Sequence, residues 1–211
     1  VQASVGKPQV VYRETIKKSA EAASTFERTL KEADLFGQVS CRVRPLPRGS
    51  GIRVSSELAD EDSLPPALVK TALEGMEEAA QSGPDGFPLE DLEAILLSLG
   101  YRDDAQPEVG VRVAAAEAFN EAVAQASPYR LEPIMAVEVV VPEDYLGAVI
   151  GDLRQRRAQI RDLGDRSNTK LVEASVPLRM MFGYSTDLRS LTKGRATFTM
   201  QFETFDNLFA G

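Results

Sequence analysis

The sequence predicts an α+β protein made of two units. In the last third of the chain, strand-like and helix-like segments follow the order β-α-β-β-α-β. This order is typical of a ferredoxin-like domain, in which two helices cover one face of a four-stranded antiparallel sheet. Before it, strands with period-two alternation combine with two long helices. The charge balance changes near Leu131, because residues 1–133 carry all of the net charge of −8.

The first part of the chain is predicted to contain three clear strands, at 9–16, 36–46 and 51–58. In 36–46, apolar residues alternate with polar ones, as expected for a strand with one buried face. The segment "PLPRGSG" lies between the last two of these strands, and its Pro and Gly residues predict a hairpin turn.

Two helices are predicted in the same part. Ser63, Pro65 and Gly83 bound the first helix. Its expected buried stripe consists of Leu68, Ala72, Met76 and Ala79. The second helix is predicted over 111–126. Its expected spine consists of Val113, Ala116, Phe119 or Asn120, and Val123.

The segment 89–101, "LEDLEAILLSLGY", fits two structures. Leu89, Leu92, Leu96 and Leu99 have helical spacing, and the residue types favour helix. Leu92, Ala94 and Leu96 also fit one face of a strand. Periodicity alone favours the helix.

The last unit is predicted element by element. We expect a strand over 134–142, a helix over 143–158 with Tyr145, Val149 and Leu153 on its apolar side, and strands near 159–167 and 169–177. A broken helix follows over 178–194, and a final strand runs over 195–205. Its expected buried face consists of Ala196, Phe198, Met200 and Phe202.

Composition excludes several kinds of chemistry. The chain has no histidine and one cysteine, so His-based triads, Cys/His zinc sites and an internal disulfide are excluded. Cys41 is expected to be a small buried residue on a strand. No GxxxxGK[ST] phosphate loop and no apolar run of about 18 residues occurs. The chain begins without Met or a signal-peptide pattern, which suggests a piece of a longer protein.

Two arginine-bearing segments remain as candidates for binding. Arg154, Arg156 and Arg157 lie near the end of one predicted helix, with Arg157 beside the buried stripe and the other two pointing outward. Such a cluster can bind RNA phosphates, or it can be a solvated face paired with Asp152 and other acids. In "GYSTDLRSLTKGRATFTM" (183–200), Tyr184, Arg189 and Arg195 are expected at the surface, without a base or nucleophile for catalysis.

Three stretches carry a longer pattern: "GKPQVVYRETI" (6–16), "RLEPIMAVEVVVPEDYLGAVIGDLRQRRAQI" (130–160) and "MFGYSTDLRSLTKGRATFTM" (181–200). Together they resemble elongation factor G, the translocation GTPase of the ribosome. The resemblance is strong over 1–16 and 130–205 and weaker between them.

The resemblance implies a C-terminal region of such a protein. Residues 1–16 would be the last strand of the third domain, and 17–130 the fourth domain, a ribosomal-protein-type α+β unit with a left-handed βαβ crossover. Residues 131–211 would be the ferredoxin-like fifth domain. The resemblance also places a strand where 89–99 lies, and we follow it there.

Function and partners follow from the same resemblance. The GTPase, with its GTP and Mg²⁺, would lie in a missing N-terminal part, so this region is expected to be no enzyme and to hold no cofactor or metal. We expect a cytoplasmic monomer that binds the ribosome and no membrane. The implied contacts to the large subunit are Arg154, Arg156, Arg157, Tyr184, Arg189, Lys193 and Arg195.

The two tip loops of the fourth domain depart from the family. The family's loops are basic, glycine-rich or hydroxyl-rich and contain histidine, whereas 28–39 and 100–110 here contain acids and no histidine. The tip-loop candidates are Lys31, Glu32, Asp34, Tyr101, Arg102 and Asp103. Acids at these positions, and at Asp104, would repel the phosphates of tRNA and mRNA.

Three functions therefore stay open. The chain belongs to a factor that translocates tRNA and mRNA, or to a divergent paralogue that docks on ribosomes for recycling or protection. The third possibility, an enzyme, follows from the occurrence of the left-handed βαβ fold in small-molecule kinases, and it would require a large apolar pocket with convergent polar groups.

Overall fold

The structure is a computed structural model that describes residues 9–30 and 34–208. The chain divides into two compact units, each with its own hydrophobic core. The first is Arg13–Leu131, and the second comprises the described residues from Glu132 onward together with residues 9–12. The division into 1–16, 17–130 and 131–211 stays a prediction.

The first unit contains a four-stranded sheet and two helices, as the α+β fold class predicts. Its elements are β1 (Arg13–Ile16), β2 (Ala20–Thr29), β3 (Asp34–Pro45), β4 (Ile52–Ser56), α1 (Pro66–Ala79), β5 (Leu92–Gly100) and α2 (Pro107–Gln125). The strand order is β2-β3-β5-β4, and only β4 and β5 run parallel. Helix α1 connects these two strands and forms the βαβ crossover. Strand β1 pairs instead with the first residues of β6 (Pro128–Val141).

The predicted hairpin between β3 and β4 is wrong, because β5 lies between them. The turn that joins them is held by Asp91, directly before β5. The carbonyl oxygen of Asp91 accepts the Leu46 N–H at 2.8 Å, and its side chain accepts the Gly51 N–H at 3.0 Å. Asp91 is 1% exposed and also forms an ion pair with Arg48 at 3.5 Å.

Most of segment 89–101 is a strand, β5, and a β-bulge explains why Leu96 and Leu99 within it have helical spacing. Ser40 pairs with Ser98, whereas Cys41 pairs with Leu96, so Leu97 is the extra residue. Leu92 and Leu96 face the core before the bulge, and Leu99 returns to the same side after it. The bulge therefore places residues three apart on one face of a strand, which is otherwise a feature of helices.

Helix α2 packs unusually close to β3. A Cβ atom added to Gly110 would lie 2.2 Å from the backbone carbon of Phe36, and one added to Gly37 would lie 2.2 Å from the backbone carbon of Gly110. The buried side of α2 consists of Gly110, Val111, Ala114, Ala115, Ala118, Phe119, Ala122 and Val123. The predicted spine was therefore wrong at Val113 and Ala116, which are only half-buried.

The second unit has the ferredoxin-like order that the sequence predicts. Its elements are β6, α3 (Glu143–Gln155), β7 (Gln159–Arg166), β8 (Thr169–Pro177), α4 (Tyr184–Leu191) and β9 (Thr197–Asp206), with a short 3-10 turn at Leu178–Met180. The strand order is β9-β6-β8-β7, with every pair antiparallel. Val149, Leu153 and Leu188 of the two helices pack on one face of this sheet.

The predicted apolar face of β9 is only partly buried. Ala196 and Phe198 pack against the core, but Met200 and Phe202 are 39% and 55% exposed. Strand β9 lies at the edge of the sheet, because its pairing partner is β6 alone among the described strands. The prediction that these residues share one face of β9 was therefore correct, but the predicted burial of Met200 and Phe202 was wrong.

Candidate functional site

The cationic candidates of the second unit lie at the two ends of its helix pair. The end of α3 meets the start of α4, where Arg156 pairs with Asp187. The start of α3 meets the segment after α4, where the Arg195 guanidinium lies 5.9 Å from the Tyr145 ring centroid. The helices are therefore antiparallel, and the candidates form two groups rather than one.

Arg156 is held inside the second unit by three hydrogen bonds. Its Nε donates to Asp152 at 2.8 Å, its Nη1 donates to the Met180 carbonyl at 2.7 Å, and its Nη2 donates to Asp187. Its side chain is 12% exposed. Although burial opposes the charge, hydrogen bonds to Asp152 and Asp187 raise the pKa of Arg156 above its ordinary value. The prediction that Arg156 points outward is wrong, because three oxygens hold it inward.

Tyr184 is a core residue. It is 1% exposed, and its ring meets Phe198 edge-on with a centroid distance of 4.9 Å. Burial, followed by the charge of Asp152, raises the pKa of its phenol. Gly183, with a φ of 80°, begins α4 in a way that turns Tyr184 inward. The expectation that Tyr184 is presented at the surface is therefore wrong.

The group at the end of α4 is accessible to a partner. We name Arg189, Lys193 and Arg195 the α4 cluster. All three are exposed, and none forms an ion pair with a carboxylate among the described residues. Gly194, with a φ of 75°, donates its N–H to the Arg189 carbonyl at 2.8 Å and closes the helix. Cations here also stabilise the negative end of the helix dipole.

Arg154 and Arg157 form the second group, beside the end of α3. Both are exposed, and Arg157 has a φ of 60°, so the chain turns sharply there. With Arg156 and Tyr184 inside, five of the seven predicted contact residues are at the surface. They stay predictions as contacts.

The tip loops of the first unit are only partly described. Lys31 and Glu32 lie outside the described residues. Asp34 begins β3, and its carbonyl oxygen accepts the Gln106 N–H at 2.7 Å, which ties the two loops together. Tyr101 packs against the core, and Asp103 is exposed.

Arg102 is engaged by acids and an aromatic ring. Its Nη1 lies 3.1 Å from Glu27, its Nε lies 3.7 Å from Asp104, and its guanidinium lies 4.6 Å from the Phe36 ring centroid. In the described part of the second tip loop, the charge of Arg102 is therefore neutralised, whereas the carboxylate of Asp103 is exposed.

Sequence reasoning missed two buried carboxylates. Glu14 is 1% exposed, and its side chain accepts the backbone N–H groups of Asp85 and Phe87 at 3.0 and 2.9 Å. Asp91 has the role described above. Both hold loops through backbone donors, so they are structural. No sequence signal identifies them, because Glu14 lies at an ordinary polar position within β1 and Asp91 at one directly before β5.

Two open grooves flank the start of α1, with volumes of about 410 and 470 Å³. Within the described residues, no group of three or more Asp, Glu or Cys side chains lies close enough together to hold a metal ion. In the same part of the chain, no helix is long and apolar enough to cross a lipid bilayer.

Comparison with known proteins connects both units to one family. A family model described as "Elongation factor G, domain IV" matches residues 8–127, and one described as "Elongation factor G C-terminus" matches residues 130–208. A crystal structure of a protein from Thermus thermophilus is similar, with a TM-score of 0.85 and 30% identity. The match covers 96% of this chain and 30% of that protein, so this chain spans less than a third of its length.

Two domain models thus cover nearly every described residue, and the structure has the two α+β units that they imply. Neither matched domain contains the catalytic site of the GTPase. The chain belongs to the elongation factor G family and comprises the family's domain IV and C-terminal domain.

Proposed function

We propose that this chain is the ribosome-binding C-terminal region of an elongation factor G-like translational GTPase, which acts in tRNA and mRNA translocation in the cytoplasm. The α4 cluster supports this proposal most directly. Guanidinium and ammonium groups without carboxylate partners bind phosphate oxygens of RNA, and arginine does so with a fork of donors. Arg154 and Arg157 would add a second contact at the other end of the helix pair.

GTP and Mg²⁺ would bind elsewhere in the longer protein. The residues of this chain do not suit a nucleotide, because no glycine-lysine phosphate loop occurs in the sequence. The role of this region would be mechanical: it grips the ribosome while a separate domain hydrolyses GTP.

Co-sedimentation of the chain with ribosomes over a range of salt concentrations tests the proposal. The double variant Arg189→Gln/Lys193→Gln removes two charges from the α4 cluster. The slope of log affinity against log salt concentration should fall by about 1.5, since each lost phosphate contact removes about 0.7–0.9. The control Lys18→Gln/Arg53→Gln removes the same two charge types from exposed positions of the first unit. An equal loss in both variants would refute docking through the α4 cluster.

A second candidate function is ribosome docking without translocation, as in recycling or protection. The described tip favours it, because Arg102 is neutralised by Glu27 and Asp104 while Asp103 is exposed. The measurement is tRNA movement on stalled pre-translocation ribosomes, with the longer protein and GTP. Ribosome-stimulated GTP hydrolysis without tRNA movement supports the second function, and full translocation contradicts it.

A further inference from the structure

We infer that the first unit binds a cationic protein segment with an apolar anchor, in the larger groove at the start of α1. We name this the α1–α2 groove. Its apolar lining includes Pro65, Leu68, Tyr101 and Val109, and Asp103 and Glu108 also line it. This site goes beyond the proposed function, because it lies on the other unit and takes a protein rather than ribosomal RNA.

The apolar part of the groove includes one residue that is left exposed to water, Val109. Leu68 is 4% exposed and belongs to the wall, whereas Val109 is 45% exposed. Val109 lies in the first turn of α2, beside Gly110 and Val111 on the helix's buried side. A groove volume of about 470 Å³ accommodates an aliphatic side chain and its neighbouring backbone. Covering Val109 would remove apolar surface from water, which favours binding.

The charge of the groove selects a cation. Among its described lining residues there are two acids, Asp103 and Glu108, and no lysine or arginine. Helices α1 and α2 both begin at this groove without a side-chain cap. Each helix end contributes about half a positive charge, so together they offset only about half of the two carboxylate charges. The local field therefore stays negative.

The surroundings reinforce this sign. Residues 13–131 contain 13 Lys and Arg against 21 Asp and Glu, a net charge of −8. The nearest cations along the chain are engaged: Lys70 lies 3.6 Å from Glu74, and Arg102 lies 3.1 Å from Glu27. On the other side of the same helix start, the smaller groove is lined by one acid and one cation, Glu61 and Lys70, and therefore adds no positive charge. RNA phosphates would be repelled here, whereas lysine and arginine side chains flanking an apolar residue would be attracted.

Fluorescence anisotropy of the 211-residue chain with short labelled peptides tests this site. The probe is a peptide with one leucine flanked on both sides by lysines. The comparison probes replace the lysines by glutamates, replace the leucine by alanine, or are a single-stranded RNA. We expect saturable binding of the Lys–Leu peptide that weakens with added salt, weaker binding of the alanine peptide, and no displacement of the Lys–Leu peptide by the acidic peptide or by RNA.

Matched variants locate the site. Asp103→Asn/Glu108→Gln should weaken binding about fivefold in total, since each exposed charge pair contributes little. The control Glu77→Gln/Glu121→Gln removes two exposed charges elsewhere on α1 and α2 and should change affinity less than about twofold. Val109→Ser should weaken the leucine peptide and leave the alanine peptide unchanged.

Three results would overturn the inference: displacement of the Lys–Leu peptide by RNA, equal weakening in both double variants, or no saturable binding of that peptide. None of these measurements involves ribosomes, and displacement of the peptide reports on the groove even if RNA binds at the α4 cluster. Failure here therefore leaves the proposed docking function standing, and failure of ribosome docking leaves this site standing.

Discussion

The close approach of α2 to β3 predicts that Gly110→Ala destabilises the first unit. A new Cβ would lie 2.2 Å from the carbonyl carbon and oxygen of Phe36 and 2.7 Å from the Gly37 nitrogen. These are backbone atoms of a central strand, so they cannot move aside as a flexible side chain would. Helix propensity alone favours alanine over glycine by about 1 kcal/mol. Overpacking costs ~1–3 kcal/mol, and contacts with backbone atoms belong at the upper end of that range, so we expect a net loss of about 2 kcal/mol.

The control for this prediction is Gly147→Ala in α3. An added Cβ there meets no atom within 4 Å, so the same substitution should stabilise the second unit by up to about 1 kcal/mol. The two variants therefore differ in sign although the chemical change is identical.

Cys41 provides a readout that is specific to the first unit. It is the only cysteine of the chain, it is 0% exposed, and burial raises the pKa of its thiol to about 12. Pulsed thiol labelling across a urea titration therefore reports when this unit opens. Gly110→Ala should move the labelling midpoint to lower urea concentration. An unchanged or higher midpoint would refute the claim that α2 and β3 touch through their backbones.

Three further predictions concern buried groups. Arg156→Ala should lower the unfolding free energy of the second unit by about 2 kcal/mol, because it leaves two acids and a carbonyl without their donor, whereas Arg154→Ala should change it by less than about 0.5 kcal/mol; urea titrations followed by circular dichroism, in which the transition that does not coincide with Cys41 labelling belongs to the second unit, measure both. Glu14→Gln should destabilise the first unit by about 1.5 kcal/mol, because a neutral amide oxygen accepts the loop N–H groups more weakly; unchanged Cys41 labelling would contradict this. The thiol pKa of Cys41 is raised on folding from 9.0 to about 12, so its contribution is complete below pH 9.0 and is lost as the pH rises toward 12. Cys41→Val should remove this component of the alkaline decline in circular dichroism melts, and an identical decline in both proteins would contradict the assignment.

The sequence predicted the second unit better than the first. In 134–205, strands and helices alternate with clear periods, and each predicted element is found close to its expected bounds. In the first unit, β2 was missed because small and polar residues, such as Ala22 and Ser24, occupy the half-buried side of its alternation. The bulge at Leu97 gave β5 the spacing of a helix. Only the family resemblance resolved that ambiguity.

The candidate site shows what residue types alone leave undetermined. A cluster of three arginines near 154–157 was visible in the sequence, but the inward position of Arg156 depends on Asp187 and Met180, which are distant along the chain. Tyr184 was mistaken for a surface residue because its burial depends on Phe198, which lies in another element. The α4 cluster was predicted correctly as exposed, since its residues surround a helix end that is rich in polar side chains.

The insertion of β5 between β3 and β4 has a consequence for synthesis on the ribosome. Strands β3 and β4 leave the exit tunnel before β5, yet neither can complete its pairing until β5 arrives. A nascent chain that stalls before Leu92 would expose two unpaired strand edges and the apolar side of α1. The first unit is therefore more prone to aggregation before β5 has emerged from the ribosome than after it. The need of the nascent chain for chaperones should fall once Gly100 has emerged.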